Sequence, residues 1–125
     1  MEAKRVAIVQ VCVDDRLDHA KIRAQVAEKL RTIHLSADRI ILVNEIGGNF
    51  GANFRNTVDV FRSQGAQIVF CATLHHDDCG AAAAGRRQPL EQTIAEIAGY
   101  VAGEHLDCSV YAGEILTNTN EVTWR

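Results

Sequence analysis

The sequence predicts an α/β domain built on one mostly parallel sheet with helices on both faces. Short, uniformly apolar runs of strand length alternate with segments of helical periodicity, and neither a linker nor an internal repeat interrupts the 125 residues. The order β-α-β-α-β-α-β requires right-handed crossovers between parallel strands. We therefore expect residues 1–125 to form a single domain whose sheet has about four strands in the order 2-1-3-4.

The first half of the chain supplies two strands and two helices. Residues 5–13 form an apolar, β-branched run, and residues 39–44 form a second buried strand. The segment Gly47–Gly51 contains three glycines, which is typical of a loop, and Gly65 is expected to end the second helix. The apolar faces of the helices consist of Ile22, Val26, Leu30 and Ile33 in the first and Phe54, Val58 and Phe61 in the second.

The second half supplies two more strands and one helix. Residues 67–74 make a third buried strand and residues 108–112 a fourth, after which a short tail ends at Trp124. Pro89 suits the first turn of the intervening helix. The alanine run 81–84 is consistent with a closely packed helical turn or with a mobile loop, and the sequence leaves both open. The apolar stripe of the helix consists of Leu90, Ile94, Ile97 and Val101.

The composition excludes several classes of function. A net charge of -3 and a pI near 5.9 give no basic surface for nucleic acid. No apolar run approaches the length of a membrane span, and the N-terminus lacks the apolar segment and cleavage site of a signal peptide. We therefore expect a cytoplasmic protein, in which four cysteines favour thiolate chemistry or metal binding over disulfides.

Three metal-ligating side chains are expected to meet at one edge of the sheet. Cys12 lies at the end of the first strand, and His76 and Cys79 lie just beyond the third. In the order 2-1-3-4 these strands are neighbours, and such sheets bind ligands beyond the carboxyl ends of their strands. Thiolate and imidazole ligands favour zinc over magnesium or calcium. Two cysteines and one histidine leave a fourth position open, as in a catalytic rather than a structural zinc site.

Asp14 and Arg16 flank the same strand end. They are placed to form a charge-assisted, bidentate pair that keeps Asp14 ionised beside the open metal position. There the carboxylate would accept a hydrogen bond from zinc-bound hydroxide and orient it toward an electrophile. The alternative is a surface salt bridge of little energetic consequence.

Taken together, two motifs resemble those of the β-class carbonic anhydrases. The first is Cys12-x-Asp14-x-Arg16, and the second is His76-x-x-Cys79-Gly80 at the end of a later strand. The stretch from Ile68 through Gly80 also looks like that family's strand and the turn that follows it. The resemblance covers about residues 5–104, which is most of the chain.

The resemblance implies a specific activity. The family hydrates carbon dioxide reversibly to bicarbonate and a proton, with zinc held by residues that match Cys12, His76 and Cys79. Asp14 and Arg16 match its catalytic dyad. Zinc lowers the pKa of bound water so that hydroxide attacks the carbon. The resemblance also implies a homodimer or a higher homo-oligomer, with carbon dioxide and bicarbonate as the small-molecule substrates.

Three differences from the family pattern motivate an alternative. Asp15 stands where the family usually has Ser or Ala, and Glu45–Asn49 stands where it commonly has Arg/Lys-Asn-Ala-Gly-Asn. The chain also starts at its first strand, where many members carry an N-terminal arm that embraces a partner, so we expect a dimer formed through sheet or helix faces. The altered loop and the missing arm favour a non-catalytic zinc-binding homologue as an alternative hypothesis. A hydrolase of carbon disulfide or carbonyl sulfide at the same zinc is the other.

Four further residues have candidate roles near the site or in the core. His75 is either a proton shuttle or a side chain that packs or faces solvent. Cys71 and Cys108 lie in or beside buried strands, where a free cysteine behaves as a small apolar residue. Asp78 matches the family's Asp before the second cysteine and is a candidate for hydrogen bonding around the metal ligands.

Overall fold

The central sheet has five strands and is flanked by helices, as seen in a computed structural model that describes residues 3–125. In chain order, the elements are β1 (Arg5–Val11), α1 (His19–Thr32), β2 (Arg39–Asn44), a 3-10 turn (Ile46–Gly48), α2 (Ala52–Ser63), β3 (Gln67–His76), α3 (Gly80–Ala83), α4 (Leu90–Gly103), β4 (Ser109–Ile115) and β5 (Val122–Trp124). The strands are arranged in the order β2-β1-β3-β4-β5. The first four pair in parallel, and β5 is antiparallel to β4. The α/β class and the order 2-1-3-4 are therefore confirmed.

Helices cover both faces of the sheet and bury two apolar clusters. On one face, Val26 of α1 lies in a cluster with Val9 of β1. On the other face, Phe54 of α2 and Ile97 of α4 lie in a cluster with Ile8 of β1. Full burial of such a side chain contributes about 1.5–3 kcal/mol. Because both faces are covered, the carboxyl ends of the parallel strands are where the sheet can present polar side chains to a ligand.

Three strands differ from the sequence prediction. The apolar sequence of β2 predicts a buried strand, but β2 lies at the edge of the sheet, and Val43 is its one buried residue. β3 continues to His76, which lies opposite Ile115 of β4, so the first part of the polar cluster belongs to the strand and does not follow it. The C-terminal tail forms β5 by pairing with the end of β4.

The ends of the helices follow from local hydrogen bonding. Asp18 precedes α1, and its side chain accepts a hydrogen bond from the backbone N–H of Lys21. Gly65 has a φ of +82° just after α2, which confirms its predicted role in ending that helix. The alanine run lies mostly in the short helix α3, so the helical alternative is confirmed, but no residue of this helix is buried. Across residues 3–125, every helix is too short or too polar to cross a membrane.

Candidate metal centre

Three potential metal ligands lie together at the carboxyl edge of the sheet. One ligand atom from each of Cys12, His76 and Cys79 lies within 4.8 Å of the other two, and the two sulfur atoms are 4.0 Å apart. β1 and β3 are adjacent and parallel, and Val11 at the end of β1 lies opposite Leu74, two residues before the end of β3, so both strands end at the same edge of the sheet. All three ligand side chains are buried. The structure thus brings together the residues that the sequence grouped, and their geometry is suited to holding a metal ion.

One nitrogen of the His76 ring has no hydrogen-bond partner. Its Nε2 is buried and unpartnered, and it lies 3.9 Å from Oδ2 of Asp14. A buried polar atom without a partner costs about 1–3 kcal/mol. A metal ion coordinated by this nitrogen and the two thiolates would remove that cost. The donor set and the orphaned nitrogen therefore fit a metal in this position.

The other nitrogen of the same ring, Nδ1, has two hydrogen-bond partners. Nδ1 of His76 lies 2.8 Å from the backbone oxygen of Asp77 and 3.0 Å from Oγ1 of Thr117. The Thr117 hydroxyl donates to the same Asp77 oxygen at 2.5 Å, so the ring N–H donates to both oxygens and Nε2 carries the free lone pair. Such a hydrogen bond fixes the tautomer and the orientation of a ligating histidine.

Thr117 is a supporting residue that the sequence did not reveal. It lies 41 residues after His76 and belongs to no recognisable ligand motif. Its backbone N–H also donates to Oδ1 of Asp77 at 2.7 Å. Only the tertiary pairing of β4 with β3 identifies Thr117 as a neighbour of His76, because it places the residues after Ile115 beside the end of β3.

The loop between β4 and β5, residues 116–121, is attached to the N-terminal side of the site. Asn120 has a φ of +60° and is buried. Its Nδ2 donates to the backbone oxygen of Arg16 at 3.1 Å, and its Oδ1 accepts from the backbone N–H of Asp18 at 2.7 Å. This loop therefore joins the segment after Cys12 to the residue that orients His76.

The Cys12 thiol is supported by the glycine-containing turn. The backbone N–H of Gly47 donates to Sγ of Cys12 at 3.3 Å, and Gly47 has a φ of +67° that favours glycine. Burial raises the pKa of Cys12, while hydrogen bonds from the backbone N–H groups of Gly47 and Asp14 act against that rise. Without a metal, the buried thiol keeps its proton. Coordination would replace that proton with the ion.

The predicted pair of Asp14 and Arg16 is present and bidentate. Nε and Nη2 of Arg16 donate to Oδ1 and Oδ2 of Asp14 at 2.9 and 2.6 Å, and the Arg16 backbone N–H donates to Oδ1 at 2.9 Å. These bonds hold the pKa of Asp14 well below its usual range. Oδ2 of Asp14 lies 3.9 Å from Nε2 of His76. The structure therefore places an ionised hydrogen-bond acceptor beside the three potential ligands.

Arg16 also contacts the segment that carries Cys79. Its Nη1 donates to Oδ2 of Asp78 at 2.7 Å, and its Nη2 donates to the backbone oxygen of Asp78 at 2.8 Å. Asp78 has a φ of +51°, a left-handed conformation that aspartate tolerates better than most residues. The guanidinium group of Arg16 thus connects the segment that follows Cys12 to the segment that carries Cys79.

The residues that differ from the family pattern have structural partners or face solvent. Asp15 is exposed. Glu45 accepts a hydrogen bond from the backbone N–H of Phe54 at 3.0 Å and so satisfies a free donor in the first turn of α2. The oxygen of Gly48 accepts from Nε2 of Gln10 at 2.6 Å and from Oγ1 of Thr73 at 3.1 Å. These contacts hold the turn in place.

A cleft of about 170 Å³ lies beside the end of β3. His75, Arg87 and Glu114 are among the residues that line it. His75 is only 4% exposed, and burial lowers its pKa to about 4, so the ring is neutral near pH 7. Nη1 of Arg87 donates to the backbone oxygen of His76 at 2.7 Å. His75 is therefore a buried, neutral side chain that lines this cleft.

The fold and the site define a class of protein: a doubly covered, mostly parallel α/β sheet with a Cys-His-Cys group suited to a metal ion at its carboxyl edge. Comparison of the chain with protein-family models and with curated proteins finds no match.

Proposed function

We propose that this protein is a zinc enzyme that hydrates carbon dioxide reversibly to bicarbonate and a proton, as the β-class carbonic anhydrases do. The observation that carries the proposal is the ionised Asp14 carboxylate, whose Oδ2 lies 3.9 Å from the unpartnered Nε2 of His76. Two thiolates and one neutral imidazole form a donor set that favours zinc. When bound, zinc supplies a nucleophile near neutral pH by lowering the pKa of water.

Asp14 is suited to orient the attacking water. Its Oδ1 accepts two hydrogen bonds from Arg16, whereas Oδ2 accepts one and lies on the side of the metal ligands. An ionised carboxylate is only an acceptor. Asp14 therefore accepts a hydrogen bond from the water and directs an oxygen lone pair toward the carbon of carbon dioxide. Arg16 does not touch the reacting atoms in this scheme and acts by holding Asp14.

Three exposed apolar side chains belong to the segments that carry the centre. Val13, Ile46 and Leu116 are 56%, 55% and 46% exposed. Each is the immediate sequence neighbour of a residue that forms or supports the centre. Exposed apolar side chains on the segments that carry the centre are compatible with an uncharged substrate such as carbon dioxide.

The same exposed side chains support a homodimer or higher homo-oligomer as the active form. Sedimentation equilibrium tests this oligomeric state, and a monomer at every concentration would contradict it.

The test compares zinc content and carbon dioxide hydration in the wild type, Asp14→Ala and Asp15→Ala. We expect one zinc per chain in all three, because neither aspartate is a ligand. Stopped-flow hydration at pH 7 and 8.5 should fall about 100-fold or more in Asp14→Ala. Asp15→Ala is the matched control, since its carboxylate is exposed, and its rate should stay close to that of the wild type.

Other outcomes would overturn the proposal in distinct ways. One zinc per chain with no hydration at either pH would favour the non-catalytic zinc-binding homologue. Turnover of carbonyl sulfide or carbon disulfide without hydration of carbon dioxide would favour the hydrolase. Equal hydration rates in the wild type and Asp14→Ala would remove the role given to that carboxylate.

A further inference from the structure

A second pair of cysteines lies away from the metal centre. The sulfur atoms of Cys71 and Cys108 are 3.7 Å apart. Cys71 lies within β3, is fully buried, and belongs to the apolar cluster beneath α2 and α4. Cys108 directly precedes β4 and is partly exposed. The pair therefore lies on the face of the sheet opposite α1, in the middle of β3 and not at its carboxyl end.

The surroundings of this pair do not suit a metal. Within residues 3–125, no third ligating side chain forms a group with Cys71 and Cys108 as His76 does with the other two thiols. The hydrogen bond between the thiols lowers the pKa of Cys108, and the same bond together with burial raises the pKa of Cys71. The more exposed sulfur is thus also the better source of a thiolate, which is the nucleophilic form of cysteine.

We propose that Cys71 and Cys108 form a redox-active dithiol that is oxidised to an intramolecular disulfide by small disulfides of the glutathione type. The Cys108 thiolate attacks one sulfur of the oxidant, and one glutathione thiolate leaves. The Cys71 sulfur then attacks Sγ of Cys108, the bond between Cys108 and glutathione breaks, and the leaving glutathione thiolate takes up the Cys71 proton. Two protein thiols are oxidised, and one disulfide is reduced to two thiols.

The two sulfur atoms are close, but they must approach further to form this bond. A disulfide requires the sulfur atoms to approach to about 2.05 Å. In the ladder Phe70 lies opposite Ser109, so Cys108 lies just before the paired part of β4. Cys71 lies opposite Val110, two residues after Cys108, so forming the bond requires the segment that carries Cys108 to move toward Cys71 in the central strand. Cys108 is accordingly the residue that attacks, and Cys71 is the residue that resolves the mixed disulfide.

The experiment treats the zinc-loaded protein, Cys71→Ser and Cys108→Ser with oxidised glutathione. Digestion on the N-terminal side of aspartates, without reduction, separates Cys71 from Cys79, because Asp77 and Asp78 lie between them. Mass spectrometry should find the Cys71 and Cys108 peptides joined in the wild type. Cys71→Ser should keep a glutathione adduct on Cys108, and Cys108→Ser should form neither product at these positions.

The readout is specific to these peptides and does not depend on whether the protein turns over carbon dioxide. Wild-type protein in which both thiols stay free would overturn the proposal. So would a lasting glutathione adduct on wild-type Cys108 without the cross-link, because Cys71 would then fail to resolve it. An adduct on Cys71 in Cys108→Ser would reverse the assigned order of attack. Near-ultraviolet circular dichroism of each reduced variant checks that the fold is retained.

Discussion

The two cysteine pairs have nearly the same spacing but different surroundings. Their sulfur atoms are 4.0 Å apart in the pair of Cys12 and Cys79 and 3.7 Å apart in the pair of Cys71 and Cys108. The first pair lies at strand ends, beside the ring of His76 and a backbone N–H donor. The second lies mid-sheet among apolar side chains. Thiol spacing therefore does not distinguish metal binding from redox chemistry, whereas the neighbouring donors do.

The largest expected effect comes from removing a ligand of the first pair. Cys12→Ser, Cys79→Ser and His76→Ala should each abolish stoichiometric zinc binding, because only two strong ligands remain. Cys71→Ser makes the same chemical change in the second pair and should retain one zinc per chain. Elemental analysis after dialysis measures both results. Full zinc retention in all three ligand variants would refute the metal centre, and zinc loss in Cys71→Ser would remove the contrast between the pairs.

An intermediate effect is expected from Thr117→Val, which keeps the three ligands but removes the hydroxyl behind His76. Loss of such an orienting partner typically weakens metal binding by about 10–100-fold. Thr123→Val in β5 is the matched control, since its side chain is exposed, and its zinc affinity should not change. Competition with a chromophoric chelator measures both affinities. Equal affinities in the two variants would show that the His76 ring is held without Thr117.

The smallest effect concerns stability and pH at His75, which is next to a ligand but faces away from the ligand set. Its pKa in the folded protein is about 4, against an ordinary value of 6.5. Between pH 4 and pH 6.5, the His75 imidazole binds a proton in the unfolded chain but not in the folded protein. The stabilisation is therefore complete above pH 6.5 and is lost as the pH falls toward 4, by up to about 3 kcal/mol.

Urea unfolding at pH 7, 5.5 and 4.5 tests this dependence in the wild type and His75→Gln. Relative to the variant, the wild type should lose stability as the pH falls, because glutamine has no proton to bind. His34→Asn is the control at an exposed histidine and should follow the wild type. The same pH dependence in all three proteins would contradict a buried neutral imidazole at position 75.

Much of the fold was predictable because it depends on local patterns. The apolar runs identify β1 and β3, and the rule that ligands bind at strand ends groups Cys12 with His76 and Cys79. The ion pair of Asp14 and Arg16 was predictable because the two residues are close in sequence. Each of these inferences requires a motif and a strand order, but no side-chain packing.

The remaining features depend on contacts between distant segments. Val122–Trp124 is too short to show a strand pattern and becomes β5 only through pairing with β4. The exposure of β2 follows from its place at the edge of the sheet, which its apolar sequence does not indicate. Thr117 and Asn120 act through contacts to residues 41 and 104 positions away. Their roles follow from tertiary structure and from no local pattern.

On a growing polypeptide, Cys12, His76 and Cys79 are synthesised before residues 116–121. Until the ribosome has passed that loop, the His76 ring lacks its Thr117 partner and the segment around Arg16 lacks Asn120. The centre therefore reaches its final geometry late, after most of the sheet has been made. A nascent chain that captures a metal ion earlier would hold it with less preorganised ligands and exchange it more readily.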